Sequence, residues 1–217
     1  MVVLQKKGWT FLLELFKTAV MLAGGKSKRM GFDKCMLKVQ NCFLSEMIIK
    51  NLRKVFDDIV VVTWNKEFYQ NFNVRVVHDE LQGIGPLGGI HAGLKASLSH
   101  YAFFIACDMP FISIPYIEYM MELLKKFKKD VIISENRGFI EPFHAFYSKA
   151  TIDKIEECYK ENKLKIADFL KKVDVIKVKE ENVRKFSSEL EIFINLNNPE
   201  DVVRFEAIIK SAEKYNS

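Results

Sequence analysis

Four apolar runs, each too short to be a helix, constrain this chain more than any other feature of its sequence. Thr18 to Ala23 stops at Gly24-Gly25, and Ile59 to Val62 gives way to Thr63. Val74 to Val77 ends at His78-Asp79, and Ala102 to Cys107 is stopped by Asp108-Met109-Pro110. Runs of this length, rich in apolar and β-branched residues and broken only by Arg75 in the third, read as strands buried on both faces. Helical periodicity separates them. Apolar residues recur from Phe43 to Phe56 through Met47, Ile48, Leu52 and Val55, and a glycine-rich stretch, Gly83 to Gly89, leads into a helical pattern reaching Leu98. Ser113 reads as an N-cap with Pro115 just inside a helix that runs to Phe127.

Further on, Val131 to Ile133 and Phe143 to Tyr147 read as strands around a turn at Asn136-Arg137-Gly138. Helical patterns cover 149–160 and 165–171, strands are expected at 173–178 and 192–194, and a last helix starts at Pro199. This alternation predicts an α/β fold, a Rossmann-like three-layer sandwich whose mainly parallel sheet carries helices on both faces. Ligands of such sheets lie beyond the carboxyl ends of the strands. Gly24-Gly25, Asp79, Asp108 and Asn195 are all expected at strand ends, facing one rim.

The 217 residues suit one domain, with 49% hydrophobic and 28% charged residues giving enough apolar material for a core. We divide the chain into an N-terminal extension of unknown role, 1–17, and a single domain, 18–217. Lys6 and Lys7 before an apolar stretch resemble a signal peptide, but Glu14 and Lys17 interrupt the run and no small-residue cleavage site follows. No run of about twenty apolar residues exists, so no membrane span is expected. The net charge of +5 is spread along the chain, which argues against a nucleic-acid partner. Cys35, Cys42, Cys107 and Cys158 lack zinc-type spacing and read as free thiols of a cytoplasmic protein.

Two strings carry chemistry. Leu22 to Lys34 reads LAGGKSKRMGFDK. Its glycines let backbone amides approach a phosphate chain, and Lys26, Lys28, Arg29 and Lys34 add cations. Neither the P-loop spacing nor GxGxxG is present, and a solvated basic loop is the plainer alternative. In CDMPF, Asp108 ends an apolar strand. It can form a turn, cap a helix, or hold Mg²⁺, which favours one or two carboxylates plus phosphate oxygens.

LAGGKSKRMGFDK, GPLGGI (Gly85 to Ile90), CDMPF, EPFHAFY (Glu141 to Tyr147) and INLNNPED (Ile194 to Asp201) follow in this order. Together they resemble the molybdenum cofactor guanylyltransferase family, the MobA proteins, over residues 18 to about 205. The resemblance implies a fold of the nucleotide-diphospho-sugar transferase type. It implies an enzyme that transfers GMP from GTP to molybdenum-molybdopterin and releases pyrophosphate, with Mg²⁺ as cofactor.

By match of motif, Leu22, Ala23, Gly24 and Gly25 would hold the nucleotide with Lys34 on its phosphates, and Asp79 would be the nucleotide-binding aspartate. Asp108 would bind magnesium and nucleotide. The backbone of Gly85, Pro86, Leu87 and Gly88 would lie near guanine, and Asn195 and Asn197 would face the pterin. Arg29, Lys34 and Asp108 would be the catalytic set. The family's asparagine after the second strand falls at Thr63 or at Asn65, and Asn198 stands where threonine is usual. The exposed face of the last helix is free to dock partner proteins, for which molybdoenzyme-maturation proteins are the candidates. His78, His91 and His144 are expected to be structural. The rival readings are a cytidylyltransferase for the same cofactor, a transferase for another phosphorylated acceptor, and a non-catalytic nucleotide or pterin carrier.

Overall fold

The computed structural model describes residues 14–24, 36–39, 41–81 and 83–215. Nine strands are described: β1 Thr18–Leu22, β2 Lys38–Val39, β3 Cys42–Phe43, β4 Asp58–Val62, β5 Arg75–Val77, β6 Tyr101–Ala106, β7 Val131–Asn136, β8 Phe139–Ser148 and β9 Val175–Val178. The α-helices are α1 Leu44–Leu52, α2 Pro86–Ala96, α3 Ile114–Phe127, α4 Ile152–Lys160, α5 Ile166–Leu170, α6 Glu180–Val183 and α7 Pro199–Tyr215. Seven strands form one sheet in the order β5-β4-β1-β6-β8-β7-β9, and β2 with β3 makes a small hairpin. The β1–β4, β1–β6, β4–β5 and β7–β9 pairs are parallel, while β8 runs antiparallel to both its neighbours. The expected mainly parallel sheet is therefore present, with one reversed strand in it.

The period of two along each strand sorts the core into two layers. Ala19 and Met21 of β1, Ile59 and Val61 of β4, and Phe103 and Ile105 of β6 face a layer shared with α1, α3, α6 and Phe205 of α7. Val20, Val60, Val62, Ala102 and Phe104 face the other way, onto Leu87, Ile90 and Leu94 of α2, Ile155 and Cys158 of α4, and Phe169 of α5. Helices thus cover both faces, which explains why the strands showed no polar alternation.

Several boundaries follow from capping. Ser113 is the N-cap of α3, its side chain accepting from the Tyr116 N–H at 3.4 Å, with Pro115 in the first turn. Asn198 and Asp201 form a reciprocal box at the start of α7. Asn198 Oδ1 accepts from the Asp201 N–H at 2.9 Å, and the Asp201 carboxylate accepts from the Asn198 N–H at 3.2 Å. Asparagine does the capping that threonine would do.

Residues 192–194 do not form a strand. Leu190 adopts a left-handed backbone, φ 58°, and Glu191–Phe193 closes as a 3-10 turn. Ile192 and Phe193 cover the sheet from above rather than extend it, a difference that a short apolar run cannot reveal. The 149–160 pattern resolves into a 3-10 turn, Lys149–Thr151, followed by α4, and α1 stops at Leu52 so that Phe56 can turn back and stack on Phe103. Of the extension, 1–13 lie outside the described residues. Phe16 is buried and stacks on Tyr101, and the Asp58 N–H donates to the Lys17 carbonyl. No helix among the described residues is long and apolar enough to cross a membrane.

Candidate active site at the carboxyl rim of the sheet

One set of backbone hydrogen bonds continues past the ends of the parallel strands and ties their loops into a rim. The Ala23 N–H donates to the Val62 carbonyl at 3.0 Å, Thr63 to Val77 at 2.8 Å, and Cys107 to Leu22 at 3.0 Å. Leu22 stands opposite both Val62 and Ala106, and Val62 opposite Val77. Asp79, Trp64, Gly24 and Asp108 each come two residues after the ends of β5, β4, β1 and β6, and so follow one another in that order along the rim. Successive connections leave β1 toward β4 on one side and arrive at β6 on the other, so the crevice between β1 and β6 is the topological switch point. Gly24 and Asp108 flank it.

The glycine-rich string supplies the next wall. Gly85 has φ 62° and ψ −138°, a conformation open to glycine, and Pro86 starts α2 immediately after it. The helix lies close against the sheet. A Cβ on Gly88 would come within 2.7 Å of Ile84 Cγ2 and 3.2 Å of the Asp79 carboxylate, and one on Gly89 within 2.9 Å of Leu22 Cδ2. Asp79 is thereby held beside the first turn of α2. Burial raises its carboxyl above the ordinary carboxylate range, against a smaller opposing pull from His78.

On the far side of the crevice, the Leu196 N–H donates to the Asp108 carbonyl at 2.9 Å. That bond hangs the segment carrying Asn195 and Asn197 over the end of β6. Asn195 Nδ2 donates to the Phe193 carbonyl at 3.3 Å, and the Asn197 N–H donates to Asp201 at 2.8 Å. Asn195 therefore reaches the rim from a 3-10 turn, not from a strand end as expected.

β8 adds a residue that the sequence reading passed over. The β6–β8 pairing ends at Ile105 and His144, and Glu141, three residues before His144 on β8 and paired with Ser134 of β7, lies near enough to Asp108 to feel its charge. Glu141 accepts from the Phe143 N–H at 3.1 Å, and burial, with a smaller contribution from the Asp108 charge, pushes its carboxyl up to about 7. A carboxylate inside the apolar string EPFHAFY was the available signal. His144 is fully buried and held down to about 4 by burial, with no hydrogen-bond partner for either ring nitrogen among the described residues. It packs against Phe103, Tyr116 and Phe193, a structural position.

The structure thus gathers Leu22, Ala23, Gly24, Thr63, Asn65, Asp79, Gly85–Gly88, Asp108, Asn195 and Asn197 along one rim. Gly25, Arg29 and Lys34 lie outside the described residues. Thr63 is buried, and its hydroxyl accepts from the Asn65 N–H at 3.1 Å. Asn65 is half-buried and also caps the following 3-10 turn through the Phe68 N–H at 3.3 Å. The Leu87 side chain is in the core, leaving only its backbone for a ligand.

In a doubly covered sheet ligands bind at the switch point, and Gly24, the start of α2, Asp79 and Asp108 border it here; the family match makes this the site of a nucleotidyltransferase. The chain belongs to the family of the MobA-like NTP transferase domain, whose model matches residues 19–178. It is 43% identical to a molybdenum cofactor guanylyltransferase of Syntrophotalea carbinolica, over 86% of this chain and 89% of that one. A probable molybdenum cofactor guanylyltransferase of Peptoclostridium acidaminophilum is 37% identical over 94% of both chains. The crystal structure of molybdopterin-guanine dinucleotide biosynthesis protein A from Archaeoglobus fulgidus superposes with a TM-score of 0.77 at 26% identity, covering 89% of this chain and 99% of that one.

Proposed function

We propose that this protein transfers GMP from GTP to molybdenum-molybdopterin, forming the guanine dinucleotide cofactor and pyrophosphate. The observation that carries this reading is the placement of Asp108. It follows β6 beside the end of β1, and its backbone carbonyl accepts from Leu196, between Asn195 and Asn197, which supports a donor side and an acceptor side meeting at this residue. The similarity to proteins named as guanylyltransferases supports the choice of base and acceptor.

In the proposed reaction an acceptor phosphate oxygen attacks the α-phosphorus of GTP. The bond from that phosphorus to the oxygen bridging to the β-phosphate breaks, and pyrophosphate leaves. The attacking phosphate is already ionised near neutral pH, so no general base is needed. His144, at about 4, stays neutral and out of the chemistry. The work of the protein is alignment and charge stabilisation. The amides around Ala23 and Gly24 and the start of α2 hold the nucleotide, with Asp79 and Asn65 as side-chain contacts and Thr63 fixing the turn behind Asn65. Gly25, Lys34 and Arg29 are assigned to the phosphates and the departing pyrophosphate. Asn195 and Asn197 orient the pterin.

Mg²⁺ fits this donor set. Among the described residues no three His, Cys, Asp or Glu side chains converge as a closed metal cage requires, whereas Mg²⁺ uses one or two carboxylates and takes its other oxygens from substrate and water. Asp108 would hold it, with the Glu141 carboxyl of β8 near enough to feel its charge. When bound, the ion supplies Lewis-acid neutralisation of charge on the phosphate oxygens. We place the enzyme in the cytoplasm, a reading supported by the free thiols of Cys42 and Cys158, and regard maturation proteins as candidate partners for the product.

Calorimetric titration with GTP, CTP and ATP in the presence of Mg²⁺, followed by transfer of labelled GMP to molybdenum-molybdopterin, tests this. Preferential GTP binding and transfer support it. A preference for CTP moves the protein to a cytidylyltransferase, and binding without transfer makes it a carrier.

A further inference from the structure

Trp64 is 70% exposed, an unusual state for the largest side chain when it stands in the row of site residues. Single apolar residues on a surface are ordinary, so exposure alone says little. Two further observations single this one out. The indole is held in place, its ring centroid 4.5 Å from that of His78 at an interplanar angle of 36°, and His78 follows the neighbouring strand β5. Two rings on adjacent strand ends thus make one supported platform with an open face. The platform also has a definite side. Trp64 falls between Asp79 and Gly24 in the rim row, next to the carboxylate that meets the first turn of α2. It follows β4, whereas Asp108 follows β6, with β1 between those two strands. The Asn195–Asn197 segment hangs at the other end, on the Asp108 carbonyl.

A nucleotide with its α-phosphate at the switch point extends its ribose and base away from the acceptor, toward β4 and β5. We propose that Trp64, braced by His78, is the surface on which the nucleobase of the donor nucleotide stacks. The inference rests on the reading of this rim as a nucleotidyltransferase site. Stacking recognises the π-face common to all bases, so Trp64 contributes affinity and positions the donor, while the choice of guanine is left to hydrogen-bonding groups elsewhere on the rim.

The experiment compares wild type, Trp64→Ala and Trp64→Phe in binding GTP and, as a probe without a base, inorganic triphosphate, each with Mg²⁺. Loss of a stacked base should weaken GTP binding about tenfold in Trp64→Ala, with Trp64→Phe close to wild type and triphosphate affinity unchanged in both. Trp9 and Trp64 are the two tryptophans of the chain, so Trp9→Phe isolates the Trp64 fluorescence, which GTP should quench and triphosphate should not. Equal GTP affinity in all three proteins with no quenching overturns the inference and leaves the transferase reading standing. A raised KM for molybdenum-molybdopterin with unchanged GTP affinity overturns it too, by giving the platform to the pterin ring. Failure of wild type to bind any nucleotide defeats the transferase reading and this inference together. If wild type binds CTP in preference, the same comparison with CTP decides the stacking on its own.

Discussion

The two ends of the parallel strands carry the same residue types and use them in opposite ways. At the amino end, Asp58 is 8% exposed and enclosed by partners. Thr18 Oγ1 donates to it at 2.7 Å, and Arg75 reaches it through Nε at 2.8 Å and Nη2 at 2.6 Å while also donating to the Ala96 carbonyl. Every oxygen of that carboxylate is satisfied by its own fold. At the carboxyl end, Asp79 and Glu141 are held above the usual carboxylate range by burial, and the charge of a second acid, Asp108, adds to the rise at Glu141. A carboxylate buried with a bidentate arginine stabilises structure. Two acids near one another at the rim of a crevice lower stability and make sense where a ligand brings the compensating positive charge.

Substitutions at the two ends separate these roles. Asp108→Ala is expected to lower GMP transfer by about 10²–10³-fold or more while the melting temperature stays near that of wild type. Transfer assays alongside thermal unfolding check it, and retained activity would remove Asp108 from the chemistry. Asp58→Ala should do the reverse. Removing one partner of a buried pair costs about 3–5 kcal/mol, which the partial exposure of Arg75 reduces to roughly 2–3 kcal/mol, read in urea unfolding with turnover of the folded fraction unchanged.

The acids and bases of β8 sharpen the contrast through pH. In metal-free protein, Glu141 keeps its proton up to about 7 whereas the unfolded chain loses it near 4.5, so its contribution to stability is lost as pH rises across that window. His144 acts in the opposite sense. Folded protein holds it neutral down to about 4, the unfolded chain takes up a proton near 6.5, and stability is lost as pH falls between the two. Glu141→Gln should therefore stabilise at pH 8 relative to pH 4.5, and His144→Phe at pH 4 relative to pH 7, each by about 2 kcal/mol. Melting curves over pH 4 to 8 measure both. The smallest effect is at the cap of α7, where Asn198→Ala should cost about 1 kcal/mol and Asn198→Thr almost nothing.

The parallel half of the molecule was legible in the sequence because three of its four strands end on a chemical signal: Gly24 after β1, Asp79 after β5, Asp108 after β6. Continuous burial on both faces removed the alternation that would have blurred their limits. The other half resisted for equally physical reasons. β8 extends to Phe139 although its first residues are only partly buried, so periodicity sees only its apolar end. Ile192 and Phe193 are apolar enough for a strand, but the left-handed turn at Leu190 folds them over the sheet. Glu141 was missed because its importance lies in its nearness to Asp108, 33 positions away, which the pairing of β6 with β8 brings about and the chain alone does not show. The catalytic assignments to Arg29 and Lys34 remain proposals from the motif, as both lie outside the described residues.

The glycines of α2 bear on how ready the site is before any substrate arrives. A Cβ at Gly93 would come within 2.6 Å of Val20 Cγ1 and 2.7 Å of Phe104 Cε1, and those at Gly88 and Gly89 would press on Ile84 and Leu22. Contacts this tight, spread along one side of the helix, act like the stops of a machinist's jig. The helix can neither rotate by a residue nor slide along its axis without driving backbone into side chains that are themselves wedged in the sheet. The amides at its first turn are thus located by the hydrocarbon packing of β1 and β6 rather than by whatever lies in front of them, and a ligand that meets them finds their alignment already set.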